Sequence, residues 1–309
     1  MKITENVHLD AVTDKILRIY SCAEGEAEQI REEAGQESKG KAQSFALEQE
    51  IFPEGELQEI TPDGHKGHIL ATEFLKIHVS SKGMIDIYDR KGKLLCADYE
   101  GERKTAESLS GEELEQMRQE GHVAQEGSVA CKFQVVKSLV GDEVIYGLGD
   151  KTGFLNKKGY DYMMWNSDNP DPHVENQTFK ALYKSIPFFI VLREDCVYGI
   201  FLDNTWRSYF DMGYESDAYY SFGAVGGELD YYFIAGESIR EIIMGYTWLT
   251  GRAPLPQIWT LGYQQSRWSY DSADEVLEIA KNFRKNKIPC DAIHLDIDYM
   301  DKFKVFTSD

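Results

Sequence analysis

Side chains able to bind sugar hydroxyls follow two short apolar segments near the end of the sequence. The first segment ends in amide, hydroxyl, guanidinium and indole groups: Gln264, Gln265, Ser266, Arg267 and Trp268. The second ends in two carboxylates and a phenol: Asp296, Asp298 and Tyr299. Carboxylates and amides hydrogen bond to hydroxyls, and an aromatic face stacks on the C–H side of a sugar ring. These residue types therefore indicate a carbohydrate site. The competing interpretation is an ion-pair network between Arg267 and the two aspartates that holds loops.

A strand, a helix and a second strand would position these groups. The pattern predicts strands over residues 258–265 and 292–297, each apolar enough for a parallel sheet covered on both sides. Between them, Ser272 and Glu275 have the spacing of a capping box, and Pro289 ends the predicted helix. Parallel α/β folds bind ligands at the carboxyl ends of their strands. The two polar groups are therefore expected to meet at one edge.

The preceding residues have a different pattern. Short segments rich in Tyr, Phe, Ile and Val, broken by Gly and Asn, predict an antiparallel β-sandwich over residues 1–250. We predict a short exposed helix over 111–120 and a second over 238–250. The acidic run 24–50 is either a helix with a solvated face or a loop. Gly251 and the prolines that follow mark the passage to a second domain, 251–309.

Composition excludes several classes of partner. The 309 residues include 53 acidic and 33 basic side chains, a net charge of −20, which disfavours nucleic acid and anionic membranes. No apolar run approaches about 18 residues and the first ten lack signal-peptide character, so we expect a cytoplasmic protein that contacts no membrane. The 5 cysteines are scattered without a CxxC pair, so we expect no disulfide and no metal site. We also expect no cofactor. The sequence is also compatible with a homo-oligomer.

Other chemical motifs have plainer interpretations. His294, between Ile293 and Leu295, is expected to be a satisfied interior residue. The segment YGLGDKTG has no lysine followed by Ser or Thr in the register of a phosphate-binding loop, and its glycines are expected to mark a tight strand exit. Asp296 and Asp298 would approach a sugar from one side, whereas a glycosidase needs carboxyl groups on opposite sides. A metal-binding DxD motif for a nucleotide sugar is a weaker interpretation, because nothing else indicates a nucleotide site.

Several segments resemble one enzyme family. WTLGYQQSRWSY, the helix after it and HLDIDYMDKFKVFT resemble the opening of the catalytic barrel in glycoside hydrolase family 31, the retaining α-glucosidases. YGLGDKTGFLNKKGYDYMMWNSDNPDPH and ALYKSIPFFI resemble the N-terminal domain of that family. The resemblance implies a mixed fold, with an N-terminal antiparallel β-sandwich followed by the first βαβ unit of an incomplete (β/α)8 TIM barrel. It extends from Tyr146 to Asp309.

The resemblance also implies site residues. Asp296 would bind ring hydroxyls far from C1, Ile297 would form an apolar wall, and Trp268 would shape the pocket beside them. Asp168, in the polar loop MWNSDNPDPH, would contact hydroxyls from the sandwich. The nucleophile and the acid/base of the family are aspartates on later barrel strands and are expected beyond Asp309. The chain therefore holds no catalytic residue, and alone it is predicted to be inactive.

The function implied is that of a portion of an exo-acting, retaining α-glucosidase. It would hydrolyse terminal α-linked glucose from oligosaccharides without a cofactor, together with the remainder of its own catalytic barrel. One alternative is a non-catalytic carbohydrate-binding or assembly fragment. Another is a family 31 enzyme of other specificity, such as an α-xylosidase. Activity on an α-glucoside distinguishes them.

Overall fold

The computed structural model describes residues 1–4, 6–22, 44, 46–47, 55–62, 66–103, 131–168 and 181–309. These residues form two compact units, Met1–Gly251 and Arg252–Asp309. The predicted helix over 111–120 and nearly all of the acidic run 24–50 lie outside the described residues.

The first unit is built almost entirely of antiparallel strands, as predicted. In chain order the described strands are β1 (Val7–Ala11), β2 (Ile16–Ser21), β3 (Gln58–Glu59), β4 (His68–Ala71), β5 (Leu75–Val79), β6 (Ile85–Asp89), β7 (Leu94–Ala97), β8 (Phe133–Ser138), β9 (Val144–Gly149), β10 (Asp161–Met164), β11 (Ser185–Leu192), β12 (Val197–Leu202), β13 (Ser208–Asp211), β14 (Tyr219–Ala224) and β15 (Asp230–Gly236). They form a six-stranded sheet, β1-β2-β15-β12-β11-β9, a four-stranded sheet, β10-β13-β14-β8, and a five-stranded meander, β3 to β7.

Aromatic side chains fill the space between the six-stranded and four-stranded sheets. Phe189 of β11 is fully buried. Its ring meets those of Phe210, Tyr220 and Phe222 edge-on, with centroids 5.5 to 6.1 Å apart. Edge-to-face geometry lets the positive ring edge of one side chain meet the negative face of another. Because these partners belong to β13 and β14, the two sheets pack face to face, and the β-sandwich is confirmed.

Helix α1 (Ile239–Thr250) covers the outer face of the six-stranded sheet. Ser238 caps it by accepting a hydrogen bond from the Glu241 amide at 3.3 Å. Tyr246 stacks on Phe188 with ring centroids 3.9 Å apart. Gly199 allows the close approach, because a Cβ atom there would lie 2.6 Å from Ile242 of the helix.

A buried ion pair joins the meander to the four-stranded sheet. Lys137 of β8 is 1% exposed, and its Nζ lies 2.6 Å from Oδ1 of Asp98, which follows β7. The other oxygen, Oδ2, accepts the Ile85 amide at 2.6 Å. Burial opposes the charged amine, but Tyr231 and Asp98 beside it raise the pKa of Lys137 well above its ordinary value. The lysine is therefore a cation held inside the sandwich by one carboxylate.

The second unit contains the predicted strand, helix and strand. Strand β16 (Gln264–Ser266) pairs in parallel with β17 (Ala292–His294), and helix α2 (Ala273–Lys285) connects them. Ser272 accepts the Glu275 amide at 3.2 Å, as predicted. The Glu275 carboxylate reaches back to the Asp271 amide, one residue earlier than a capping box requires.

The predicted extents of both strands were too long. Residues 258–265 are not one strand, because Ile258–Leu261 form a 3-10 helix. The Gln257 carbonyl accepts both the backbone amide and the hydroxyl of Thr260, and these local bonds turn the chain before the sheet begins. The second strand ends at His294 rather than at residue 297.

The second unit leaves most of its apolar side chains exposed. Within residues 252–309, all of which are described, Tyr270 is the only hydrophobic residue that is buried. Leu277 on α2 and Ile288 after it are both half exposed. One helix and two three-residue strands cannot cover one another, since a stable layer needs a second apolar face. No described helix of either unit is long and apolar enough to span a membrane.

Candidate functional site

The sequence-predicted residues of the second unit lie at one edge of the parallel pair. Ser266 pairs with His294, so β16 and β17 end side by side. Arg267 and Trp268 follow the first strand, and Asp296 and Ile297 follow the second. All four are exposed, and Trp268 has 79% of its surface accessible. This edge therefore presents an indole, a guanidinium, a carboxylate and an aliphatic group toward solvent.

The backbone at Asp296 is unusual. Its φ is 60°, in the left-handed region that non-glycine residues seldom adopt. Such conformations cost about 1–3 kcal/mol and concentrate at binding and catalytic sites. The bend begins two residues after β17 and determines where the carboxylate projects. An observed outlier at a strand end makes Asp296 the strongest candidate of this unit.

The described residues show no ion pair joining Arg267 to Asp296 or Asp298. The loop-holding network considered above therefore has no contact to support it. His294 is exposed rather than interior, so that prediction was wrong. Its Nε2 nevertheless has a partner, Oε1 of Gln264 at 2.7 Å. The three-residue strands explain the exposure, because no further layer of this unit covers them.

Asp168 lies in the first unit, in the loop that follows β10. The base of this loop is fixed by two hydrogen bonds. Ser167 donates its amide to the Leu182 carbonyl at 3.0 Å, and Ser185 donates its amide to Oδ1 of Asn166 at 3.0 Å. The Asp168 side chain is exposed beyond this fixed base. The two prolines of MWNSDNPDPH lie outside the described residues.

A groove of about 560 Å³ lies beside the base of the Asp168 loop. We call it the tryptophan groove and define it by Trp165, Asn166, Ser185, Trp206 and Tyr246. Both tryptophans are about half exposed. The sequence interpretation missed them, although Trp165 directly precedes the polar loop and Trp206 follows the polar Asp-Asn-Thr sequence after β12. An exposed tryptophan next to polar loop residues was the available signal.

No group of three or more His, Cys, Asp or Glu side chains able to hold a metal ion occurs in the described parts of the chain. All 5 cysteines are free.

The two units match two domains of one class of protein, the glycosyl hydrolases. Residues 6–211 match the family model described as the glycosyl hydrolase 31 N-terminal galactose mutarotase-like domain. Residues 253–309 match the family 31 TIM-barrel domain. The chain therefore belongs to glycosyl hydrolase family 31, and the resemblance noted from its motifs is confirmed.

Relatives with assigned names support the same family. The chain is 41% identical over 225 residues to alpha-glucosidase 2 of Bacillus thermoamyloliquefaciens, a match covering 73% of this chain and 25% of that protein. It is 34% identical over 185 residues to an alpha-glucosidase of Saccharolobus solfataricus, covering 60% of this chain and 26% of the relative. The chain thus spans about a quarter of the length of these relatives.

Among solved structures, the family 31 dextranase FjDex31A of Flavobacterium johnsoniae superposes with a TM-score of 0.72. The identity is 34%, and the match covers 95% of this chain and 31% of the dextranase. That enzyme has been solved in complexes with isomaltotriose and with glucose.

Proposed function

We propose that this chain is the N-terminal part of an exo-acting, retaining α-glucosidase and supplies much of the subsite for the non-reducing glucose. The longer protein is called the complete enzyme below. The observation that carries the proposal is the exposed edge where β16 and β17 end with Trp268, Asp296 and Ile297. In a chain of this family, such an edge is where a barrel binds its ligand. The identity to two proteins named as α-glucosidases supports the substrate class.

Each proposed residue has a distinct role. Asp296 accepts hydrogen bonds from hydroxyls far from C1, because an ionised carboxylate is an acceptor only. Ile297 forms the apolar wall against the C–H side of the ring, and Trp268 shapes the pocket next to it. Asp168 contributes a second carboxylate from the segment that follows β10 of the sandwich. All four bind and orient the sugar and none attacks C1.

The bond-breaking groups of this proposal come from later barrel strands. A retaining glycosidase needs a nucleophile and an acid/base about 5 to 5.5 Å apart on opposite sides of the scissile bond. Asp296 and Asp298 are separated by one residue after a single strand. They would meet the sugar from the same side. The exposed apolar residues of the second unit, including Leu277 and Ile288, would pack against those later strands and helices.

A second candidate is cleavage of α-linked glucan by a dextranase-type enzyme. The observation that favours it is the 34% identity and TM-score of 0.72 with the Flavobacterium johnsoniae dextranase. The two candidate functions use the same glucose-binding edge and differ in the leaving group, which is the part of the substrate released from C1. A comparison of dextran with p-nitrophenyl α-glucoside as substrates separates them.

The complete enzyme is expected to hydrolyse p-nitrophenyl α-glucoside, and the 309-residue chain to show no turnover. The reason is that the edge after β17 binds sugar but both reactive carboxylates lie elsewhere. Release of p-nitrophenol measures the turnover of the complete enzyme and of the 309-residue chain, with the β-glucoside and the α-xyloside as control substrates. Turnover by the 309-residue chain that survives removal of host glucosidases would contradict the assignment of roles. A complete enzyme that prefers the α-xyloside would instead support the other family 31 specificity.

A further inference from the structure

Trp206 is held as a rigid surface at the tryptophan groove. Its ring lies against two glycines: a Cβ atom at Gly226 would lie 2.5 Å from the ring, and one at Gly227 would lie 2.8 Å from it. Gly227 also has a φ of +70°, which favours glycine at that position. Trp206 nevertheless keeps 57% of its surface exposed. The two glycines therefore let the backbone support the indole while more than half of the residue remains open.

Asn204 fixes the turn that carries this ring. Its Oδ1 accepts the Trp206 amide at 2.8 Å, and its Nδ2 donates to the carbonyls of Gly226 and Glu228, both at 3.1 Å. One side chain thus joins the turn after β12 to the strand connection beneath the indole. A stacking surface fixed in this way loses little conformational entropy when it binds a ligand.

Trp165 forms the second aromatic wall of the groove. The Arg207 guanidinium lies 4.3 Å from its ring centroid, a cation–π contact that orients the indole. Trp165 and Trp206 also line a further cavity of about 400 Å³. The two half-exposed indoles therefore border both cavities.

Polar groups line the same groove. Oγ of Ser185 is buried and has no hydrogen-bond partner among the described residues. Asn166 accepts the Ser185 amide through Oδ1 and is otherwise exposed. Asp203 contributes a carboxylate whose Oδ1 accepts the Ser44 hydroxyl at 2.7 Å.

We propose that the tryptophan groove binds glucosyl units of an α-glucan chain, with Trp206 as the stacking surface. The inference rests on the proposed function for its substrate class. Indole faces next to amide, hydroxyl and carboxylate groups match the C–H face and the hydroxyls of successive sugar rings. Trp165, which lines the groove, precedes Asp168 by three residues, so the groove and the proposed sugar contact of Asp168 lie on neighbouring residues of the first unit.

Trp206→Ala in the complete enzyme tests this inference with two substrates. For maltotetraose and isomaltotetraose, we expect KM to rise by about five- to tenfold, the effect of losing one aromatic stacking contact. For p-nitrophenyl α-glucoside, which carries one glucose and no further glucosyl unit, kcat/KM should be unchanged. Trp206→Tyr should restore part of the loss. Trp248→Ala is the matched control, because Trp248 is 43% exposed on α1 and lies outside the groove.

The possible outcomes separate the inference from the proposed function. Unchanged KM for both tetrasaccharides would overturn the inference and leave the proposed function intact. An equal loss on all substrates with a lower Tm would show that Trp206 is structural, which also overturns it. A changed oligomeric state without a change in KM would assign the groove to a second copy of the chain. Absence of any α-glucoside hydrolysis by the wild-type complete enzyme would instead refute the proposed function.

Discussion

Asp296→Asn in the complete enzyme should lower kcat/KM for an α-glucoside by about ten- to hundredfold and leave Tm unchanged. The substitution keeps the shape of the side chain and removes its charge. A charge-assisted hydrogen bond is worth about 1.5 to 3 kcal/mol, which sets the range of the loss. Because Asp296 is exposed and makes no ion pair among the described residues, the fold should not depend on its charge.

Part of this loss should appear in kcat. Hydrogen bonds to hydroxyls remote from C1 help to drive the ring toward its oxocarbenium-like geometry, so they are stronger in the transition state than in the ground state. Steady-state kinetics and a thermal melt on the same preparation measure both effects.

Asp291→Asn is the matched control for this prediction. Asp291 is an exposed aspartate directly before β17, at the opposite end of the same strand. Parallel α/β folds bind ligands at the carboxyl ends of strands, so its charge should not affect turnover. A destabilised but fully active Asp296→Asn enzyme would remove Asp296 from the site and assign it to loop anchoring.

Asp98→Ala should lower the free energy of unfolding of the 309-residue chain by about 3–5 kcal/mol. The substitution leaves the Lys137 cation 1% exposed and without its carboxylate. It also removes the acceptor of the Ile85 amide. Chemical denaturation followed by circular dichroism measures the change.

Two further variants separate the contributions to this loss. Lys137→Met should cost less than Asp98→Ala, because the carboxylate left behind is 16% exposed and still accepts the Ile85 amide. The double variant should be more stable than Asp98→Ala, because it leaves no unpaired charge buried, and should stay about 1–3 kcal/mol below the wild type, because the Ile85 amide still lacks its acceptor.

The Lys132–Glu228 pair provides the matched control. Its atoms are also 2.6 Å apart, but the side chains are 52% and 63% exposed. Glu228→Ala should therefore cost less than about 1 kcal/mol. Similar losses for Glu228→Ala and Asp98→Ala would show that burial does not control the strength of these pairs.

Much of the fold could be predicted from local patterns. The alternation of Leu75, Ile77 and Val79 with polar residues is typical of a strand such as β5, because the side chains of a strand point to opposite faces in turn. Ser272 placed the start of α2 because the caps of helices depend on neighbouring residues. The strand predicted over residues 258–265 was wrong because the bonds from Thr260 to Gln257 compete with sheet pairing, and hydrophobicity does not report them.

The groove and the buried ion pair could not be predicted because they depend on contacts between distant residues. Trp206 is supported by glycines twenty and more positions later, and nothing in its own segment shows that one ring face is covered. From the sequence alone, Lys137 is a polar position in β8. Its burial depends on Asp98, which follows a strand of another sheet. Trp268, Asp296 and Ile297 were brought to one edge because the strand-helix-strand pattern fixes which strand ends are neighbours.

The stereochemistry of the released sugar tests the proposed retaining mechanism. Proton NMR of the complete enzyme acting on maltose should show α-glucose as the first product formed from the non-reducing unit, before mutarotation. A retaining mechanism with two displacements at C1 requires this result. Initial release of β-glucose, or no hydrolysis of any α-glucoside, would contradict the proposal that this chain forms the glucose subsite of a retaining α-glucosidase.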